Sequence, residues 1–187
     1  PVGPLQLTDE LNMELFGKIE RAYAAAAERD GTPYVSHPGV AVVHRMIELG
    51  RPSRLKGAGF YDYDDAGKRT RLWPGLAEEF LAAEPLPLVD IQERMLFAEA
   101  LETAKCFEEG VISSAAAANI GSIMGIGFPP NTGGAAQFMT GYVGADGSVG
   151  LAAFLARADE LAEAYGDRFR PTAWLREMAA AGETFPA

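Results

Sequence analysis

The chain has 187 residues, 48% of them hydrophobic, which is enough apolar material for one packed domain or two small ones. Its 16 basic and 26 acidic side chains give a formal net charge of −10. This balance argues against nucleic-acid binding, which draws its affinity from Lys and Arg on phosphates. No apolar run reaches the roughly 18 residues that a membrane span requires.

Three helices are predicted in the first fifty residues. Pro4 suits the first position of a short helix, where its missing N–H costs nothing. Asn12 is the expected N-cap of a second helix, which ends at Gly31. A third helix is expected to start at Pro38 and to end at Gly50.

A β-hairpin is predicted near residues 59–72. Aromatic and polar residues flank the turn sequence Asp64-Asp65-Ala66-Gly67 on both sides. A short helix and a proline-containing connection follow, which places the best internal boundary near residues 84–88. We therefore expect a first half over 1–85 and a second half over 86–187.

The second half predicts further helices. The first of them contains the single cysteine, Cys106, which excludes an internal disulfide, fits a reducing compartment and is expected to pack as a buried small apolar side chain. This helix is expected to start with a capping box of Asp90 and Glu93 and to stop at Gly110. The next two helices are expected to be capped by Ser113 or Ser114 and by Ser148. The last is expected to have Pro171 near its start and Gly182 as its stop.

The stretch "GIGFPPNTGGAAQFM", residues 125–139, is dense in glycine and proline. It lacks the G-x-G-x-x-G pattern of a dinucleotide site and the Gly-Lys-Ser/Thr ending of a P-loop, and an alanine-rich helix precedes it where a strand is required. The glycines are therefore predicted to end one helix, and Pro129 and Pro130 to stiffen the turn into the next.

No complete catalytic or metal-binding constellation is found. Residues 62–67 resemble half of a calcium loop, but the position that needs a bidentate Glu is Trp73, so a tight turn is the better interpretation. His37 is expected in a helix-capping turn. His44 and Glu48 lie one helical turn apart, but the histidine spacing matches no zinc motif, and no catalytic triad is recognisable.

Seven of the sixteen basic residues fall between Arg45 and Arg71. Two interpretations stay open for this basic stretch. It is a solvated face of the hairpin region, as charge clusters usually are, or it attracts an anionic ligand or a neighbouring domain.

The segments "RPSRLKGAGFYDY" and "ERMLFAEALETAKCFEEGVISSAAAANIGSIMGIGFPPNTGGAAQFM" resemble the C-terminal helical region of 3-hydroxyacyl-CoA dehydrogenases. The multifunctional β-oxidation type is the nearest match, a chain that also carries an enoyl-CoA hydratase and that forms the α-subunit of the bacterial trifunctional complex. The resemblance extends over the whole chain. Its most specific parts are the Lys56–Tyr61 motif, "EEGVI" at 108–112 and "GFPP…GG" at 127–134.

The resemblance implies a mostly α fold, with a helical domain built of two related halves and one small β-hairpin, like the C-terminal domain of 6-phosphogluconate dehydrogenase. The family's Met-Gly-Pro corner corresponds to Val2-Gly3-Pro4, with a departure only at Val2. Gly3 and Pro4 are accordingly expected to contribute to substrate binding. Lys56, beside Gly57 and Gly59, is the candidate of the basic stretch for contact with the CoA moiety or with an acidic surface of a neighbouring domain. No catalytic role passes to His37, His44 or Asn119, because none sits at a matching motif position.

The resemblance further implies that this sequence is a fragment whose NAD-binding domain, catalytic His–Glu pair and substrate-holding asparagine lie upstream. NAD would be bound there and not here, and no metal is expected. The implied partners are the upstream NAD-binding and hydratase domains, an acyl-CoA substrate and a thiolase β-subunit, in the cytoplasm. The alternatives are a stand-alone helical interaction or dimerisation module without catalysis and, less favoured, a single-function dehydrogenase, which has only one such helical half.

Overall fold

A computed structural model describes residues 2–81 and 84–187 of the chain. The chain divides into two compact units, Pro1–Pro85 and Leu86–Ala187. Within the described residues there are nine α-helices and one two-stranded sheet, so the predicted mostly α fold is confirmed. Each helix in this described part is too short or too polar to span a bilayer.

The first unit begins with two helices that meet at Asn12. Its elements are α1 (Pro4–Leu11), α2 (Met13–Asp30), α3 (Gly39–Glu48), a 3-10 turn (Arg54–Lys56), β1 (Tyr61–Tyr63), β2 (Arg69–Leu72) and α4 (Leu76–Phe80). Asn12 caps α2 as predicted, because its side-chain oxygen accepts a hydrogen bond from the Glu14 N–H at 3.1 Å. Gly31, with φ +68°, ends α2.

The predicted hairpin is present. Its strands are antiparallel, with Tyr61 opposite Leu72. The Asp64 side chain accepts hydrogen bonds from the Ala66 and Lys68 N–H groups at 3.0 and 2.8 Å. Gly67 completes the turn in a left-handed conformation, φ +72°, that favours glycine.

The second unit forms around a long helix. Its elements are α5 (Leu88–Glu108), α6 (Ala115–Gly121), a π-helical turn (Ser122–Ile126), α7 (Ala135–Thr140), α8 (Leu151–Tyr165) and α9 (Ala173–Ala181), with short 3-10 turns at Pro130–Thr132 and Asp167–Phe169. Phe97 of α5 lies fully buried and stacks on Phe154 of α8, with ring centroids 4.3 Å apart.

Two predicted caps of the second unit are wrong. Asp90 and Glu93 do not form a capping box: α5 already starts at Leu88 behind Pro87, so both acids lie inside the helix. Ser148 does not cap α8, which starts after Gly150; its hydroxyl instead donates to Asp146 at 2.6 Å. Ser114 does cap α6, accepting from the Ala117 N–H at 3.2 Å.

The hydrophobic cores of the two units differ in size. Among the described residues, nineteen buried side chains form the core of the second unit, whereas the buried cluster of the first is Met13, Met46 and Phe60. The apolar positions of α2 that recur at helical spacing, Leu15, Ile19 and Tyr23, are 44%, 43% and 66% exposed. The α2 helix thus buries its Met13 side and leaves a second apolar stripe in solvent.

Candidate functional site

A buried carboxylate joins α1 to the hairpin. Asp9 is 0% exposed. Its Oδ1 accepts a hydrogen bond from the Phe60 N–H at 2.8 Å, and its Oδ2 accepts from the Tyr61 N–H at 3.0 Å and the Tyr63 hydroxyl at 2.8 Å. Burial and this hydrogen bond raise the pKa of Tyr63, which keeps its hydroxyl a donor. One side chain therefore holds both the start of β1 and its last residue.

The backbone at Gly59 leaves room for that carboxylate. A Cβ at this position would lie 2.5 Å from Asp9 Oδ2 and still closer to the other carboxylate atoms. The guanidinium of Arg51, which follows α3, donates to the Gly59 carbonyl at 2.8 Å and to the Tyr61 carbonyl at 3.1 Å. Asp9 thus accepts hydrogen bonds from the N–H groups of Phe60 and Tyr61, and Arg51 donates to the carbonyls of Gly59 and Tyr61.

Most of the basic stretch is neutralised within the first unit. The ion pairs join Arg45 to Glu79 and Glu48, Arg51 and Arg71 to Asp62, and Arg54 to Glu10. Hydrogen bonds from Arg71 and Arg51 lower the pKa of Asp62.

Three cations of the stretch make no ion pair within residues 2–81 and 84–187. They are Lys56, Lys68 and Arg69. The Arg69 guanidinium donates to the Gln6 side chain and lies over the Tyr61 ring, 4.8 Å from its centroid. The two lysine ammonium groups therefore remain as the charges open to an anion.

A polar cavity of about 410 Å³ separates α1 from the hairpin turn. Its lining residues are Gln6, Glu10, Arg54, Tyr63, Ala66, Gly67, Lys68 and Arg69. Because Arg54 is already paired with Glu10 at 2.8 Å, the surplus positive charge of this cavity comes from Lys68 and Arg69.

The structure does not bring Lys56 together with Gly3 and Pro4, the other two residues predicted to bind substrate. Gly3 is extended, precedes α1, and its carbonyl accepts from the Leu7 N–H at 3.0 Å, while Pro4 opens the helix. Lys56 ends the 3-10 turn, with its side chain exposed. In the described part of the chain, no hydrogen bond, ion pair or cavity joins Lys56 to Gly3 or Pro4; α1 meets the turn through Glu10 and Arg54.

The histidines have structural surroundings. His37 Nδ1 accepts from the Gly39 N–H at 3.0 Å, the capping turn that was predicted. His44 Nε2 lies 3.2 Å from a Glu20 carboxylate oxygen, which links α3 to α2. No group of three or more metal-ligating side chains occurs among the residues described.

The glycine-rich corner connects α6 to α7. Gly127, Gly133 and Gly134 have φ of +77°, +82° and +103°, values that favour glycine. The N-terminal amides of α7 are already bonded: Ala135 donates to Ser122 Oγ at 3.0 Å and Gln137 to Asn119 Oδ1 at 2.9 Å. Side chains of α6 and the π-helical turn therefore serve α7 as its caps.

An ion-pair network that the sequence did not reveal joins α5 to α8. Arg157 bridges Asp90, Glu93 and Glu160, with its Nε 2.7 Å from Glu93 Oε2. The hydroxyl of Tyr142 donates to the other Glu93 oxygen at 2.6 Å. The two acids predicted as a capping box thus serve inside α5 as partners of Arg157.

Along the same helix, Cys106 lies on α5 as predicted but is only partly buried, which corrects the expectation of a buried side chain. It borders an apolar cavity of about 450 Å³ between α5 and α6. Two acidic side chains also line the cavity, Glu99 and Glu102, and Glu102 is paired with Lys105.

Comparisons with known proteins place this arrangement in context. A scan against protein-family models finds no match. The chain is 36% identical over 196 residues to proteins named fatty acid oxidation complex subunit alpha from Pseudomonas paraeruginosa and Pseudomonas aeruginosa, and 33% identical over 189 residues to that of Shewanella amazonensis. Each alignment covers 99% of this chain and 25% of the relative, so the chain spans about a quarter of their length. The chain is thus similar, along nearly its whole length, to the C-terminal region of the fatty acid oxidation complex alpha subunits.

Proposed function

We propose that this chain acts as the C-terminal part of a multifunctional β-oxidation enzyme. The complete polypeptide would hydrate 2-enoyl-CoA and oxidise 3-hydroxyacyl-CoA with NAD, in the cytoplasm and together with a thiolase β-subunit. The observation that carries the proposal is the 36% identity to bacterial fatty acid oxidation complex alpha subunits over 99% of this chain.

The proposed contribution of this part is to close the substrate cleft and to form domain or subunit contacts. The hydrogen bonds at its corners support a positioning role. Asp9 links α1 to the hairpin with three of them, and Asn119 of α6 and Ser122 of the π-helical turn each accept one from the start of α7. Closure of such a cleft excludes water while the cofactor carries the hydride. The two halves are proposed to be related, as in the family that the sequence resembles.

The described residues do not fit NAD. A dinucleotide site places a pyrophosphate on free amides at a helix N-terminus behind a parallel strand. Here the described sheet is an antiparallel hairpin, and the amides at the start of α7 are bonded to Ser122 and Asn119. NAD is therefore assigned to the remaining part of the proposed enzyme.

Binding of NAD to two polypeptides tests this function. The complete gene product is expected to bind NAD and to oxidise a 3-hydroxyacyl-CoA, whereas residues 1–187 alone show no heat of NAD binding up to about 1 mM by calorimetry, since they lack the dinucleotide motif. Micromolar binding to the short chain, or a complete gene product without dehydrogenase activity, would contradict the assignment.

We also propose that Lys56, Gly3 and Pro4 contact the acyl-CoA substrate. Its support is electrostatic, because Lys56 and Lys68 are exposed and carry charges that no acid in the described residues neutralises. Coenzyme A bears several phosphate charges, and screening over about 8 Å at physiological salt makes local charge matter more than the net −10.

Charge reversal at the two lysines tests that contact in the complete enzyme. The Lys56→Glu, Lys68→Glu double variant is expected to raise KM for a 3-hydroxyacyl-CoA about 3–10-fold at low salt, and less at 0.5 M salt, because salt screens the lost attraction. Lys18→Glu together with Arg29→Glu, on α2, is the control of equal charge change. A KM equal to that of this control at both salt concentrations would leave the basic stretch as solvated surface.

A stand-alone helical interaction module is the second candidate. The exposed apolar stripe of Leu15, Ile19 and Tyr23 favours it, because exposed apolar patches are typical of protein–protein interaction sites. The intact mass of the natural gene product separates the two candidates: a product close to 19.9 kDa supports the module, and one several times heavier supports the enzyme.

A further inference from the structure

An apolar groove runs along the outer face of α5. Two cavities of about 450 and 420 Å³ share the Ala98 side chain as part of their lining. N-terminal to Ala98, the exposed side chains of Leu88, Ile91 and Met95 follow one another at helical spacing, and they are 67%, 42% and 57% exposed. C-terminal to it, the groove reaches Cys106. From Leu88 to Cys106 the helix rises about 27 Å.

Two side chains that line this groove, Glu99 and Arg94, each contain a buried polar atom without a hydrogen-bond partner in the described residues. The Arg94 guanidinium lies over the Tyr165 ring, 4.3 Å from its centroid. The Oε2 atom of Glu99 is inaccessible to solvent and accepts no hydrogen bond within residues 2–81 and 84–187. Burial raises the pKa of the Glu99 carboxyl. A buried carboxylate oxygen without a donor destabilises the chain in which it lies, and a cation placed against the part of Glu99 that lines the cavity would offset that cost.

We propose that this groove receives an amphipathic helix, supplied by another part of the same longer polypeptide, that lays apolar side chains over Ala98 and Met95 and points a Lys or Arg at Glu99. The proposal rests on the proposed function, which supplies that polypeptide. The relatives are about four times as long as this chain, so their remaining length offers such a helix in cis.

The shape and chemistry of the groove favour a helix over other occupants. Its length follows α5, and small residues line it at Ala98, Ala117 and Gly121, which allows a second backbone to approach closely. Apolar anchors at helical spacing are the way in which grooves of this kind hold amphipathic helices. Charge complementarity with Glu99 favours a Lys or Arg at the facing position of the occupant, away from Arg94.

Thiol labelling of Cys106 measures whether the groove is covered. The rate of maleimide addition at this residue, followed by peptide mass mapping, is compared between residues 1–187 and the complete gene product. Labelling is expected to be at least 10-fold slower in the complete product. Equal rates in the two proteins would overturn the proposal.

Two variants of the complete product sharpen the test. Ala98→Trp fills the groove and Glu99→Lys repels the occupant's cation, so each is expected to raise the Cys106 labelling rate several-fold. The controls Ala180→Trp on α9 and Glu108→Lys at the exposed end of α5 should leave the rate unchanged. Protection that survives both groove variants would contradict the assigned contacts.

The outcomes also separate this proposal from the proposed function. A complete product that oxidises 3-hydroxyacyl-CoA but labels freely at Cys106 overturns the groove contact alone. If residues 1–187 instead dimerise in sedimentation at micromolar concentration, and Cys106 becomes protected with dimerisation, the occupant is a second copy and the cis helix is wrong.

Discussion

Replacing Asp9 by alanine is expected to lower the free energy of unfolding of the first unit by about 3–5 kcal/mol. The substitution leaves two backbone N–H groups, of Phe60 and Tyr61, and the Tyr63 hydroxyl without their acceptor. Each buried donor left unpaired costs roughly 1–3 kcal/mol, and a charged acceptor lies at the upper end of that range.

The two tryptophans allow the effect to be assigned to one unit. Trp73 lies in the first unit and Trp174 in the second. In a Trp174→Phe background, urea unfolding followed by fluorescence therefore reports on the surroundings of the hairpin. Glu10→Ala, at an exposed neighbour of Asp9 that pairs with Arg54, is the control and should cost about 1 kcal/mol or less. A loss below about 1 kcal/mol for Asp9→Ala would show that the carboxylate does not hold the hairpin.

Gly134→Ala is expected to destabilise the second unit by about 3 kcal/mol or more. A Cβ at this position would lie 2.6 Å from the Cβ of Asn119 and 2.7 Å from its carbonyl oxygen, and φ is +103°. The strained backbone and the overlap both act against the variant. Because Asn119 also caps α7, moving it away breaks the hydrogen bond to Gln137 as well.

Two nearby glycines serve as comparisons for Gly134. Gly125→Ala should cost far less, since nothing lies within 4 Å of its added Cβ and its φ is not positive. Gly133 meets only the flexible Gln137 side chain, so alanine there is expected to cost about 1–2 kcal/mol, mainly through its φ of +82°. Urea unfolding in a Trp73→Phe background measures all three. A Gly134→Ala chain as stable as the Gly125→Ala chain would refute the assigned overlap.

The sequence predicted those features whose causes are local. Asn12 caps α2 and Gly31 ends it because both act on the amides and carbonyls of adjacent residues. The Asp64–Gly67 turn is likewise fixed by a side chain that bonds residues two and four positions later. Such signals are contained in a few consecutive residues, so they are visible without a fold.

Features that depend on distant parts of the chain were missed or misread. Asp9 looks like any acid on a short helix, and its partners lie 51 to 54 positions further on. Asp90 and Glu93 have the spacing of a capping box, but Arg157, more than sixty positions away, binds them within the helix. Nothing in the local sequence separates these two uses of the same residue types.

The unequal cores have a consequence for how the isolated chain melts. Among the described residues, the buried cluster of the first unit is Met13, Met46 and Phe60, so this unit is expected to open at a lower temperature than the second. A calorimetric scan should therefore show two transitions. Any polypeptide that binds the folded first unit would then raise only the lower transition, by mass action. Separation of the two peaks would thus serve as a gauge of partner binding that needs no substrate and no catalytic turnover.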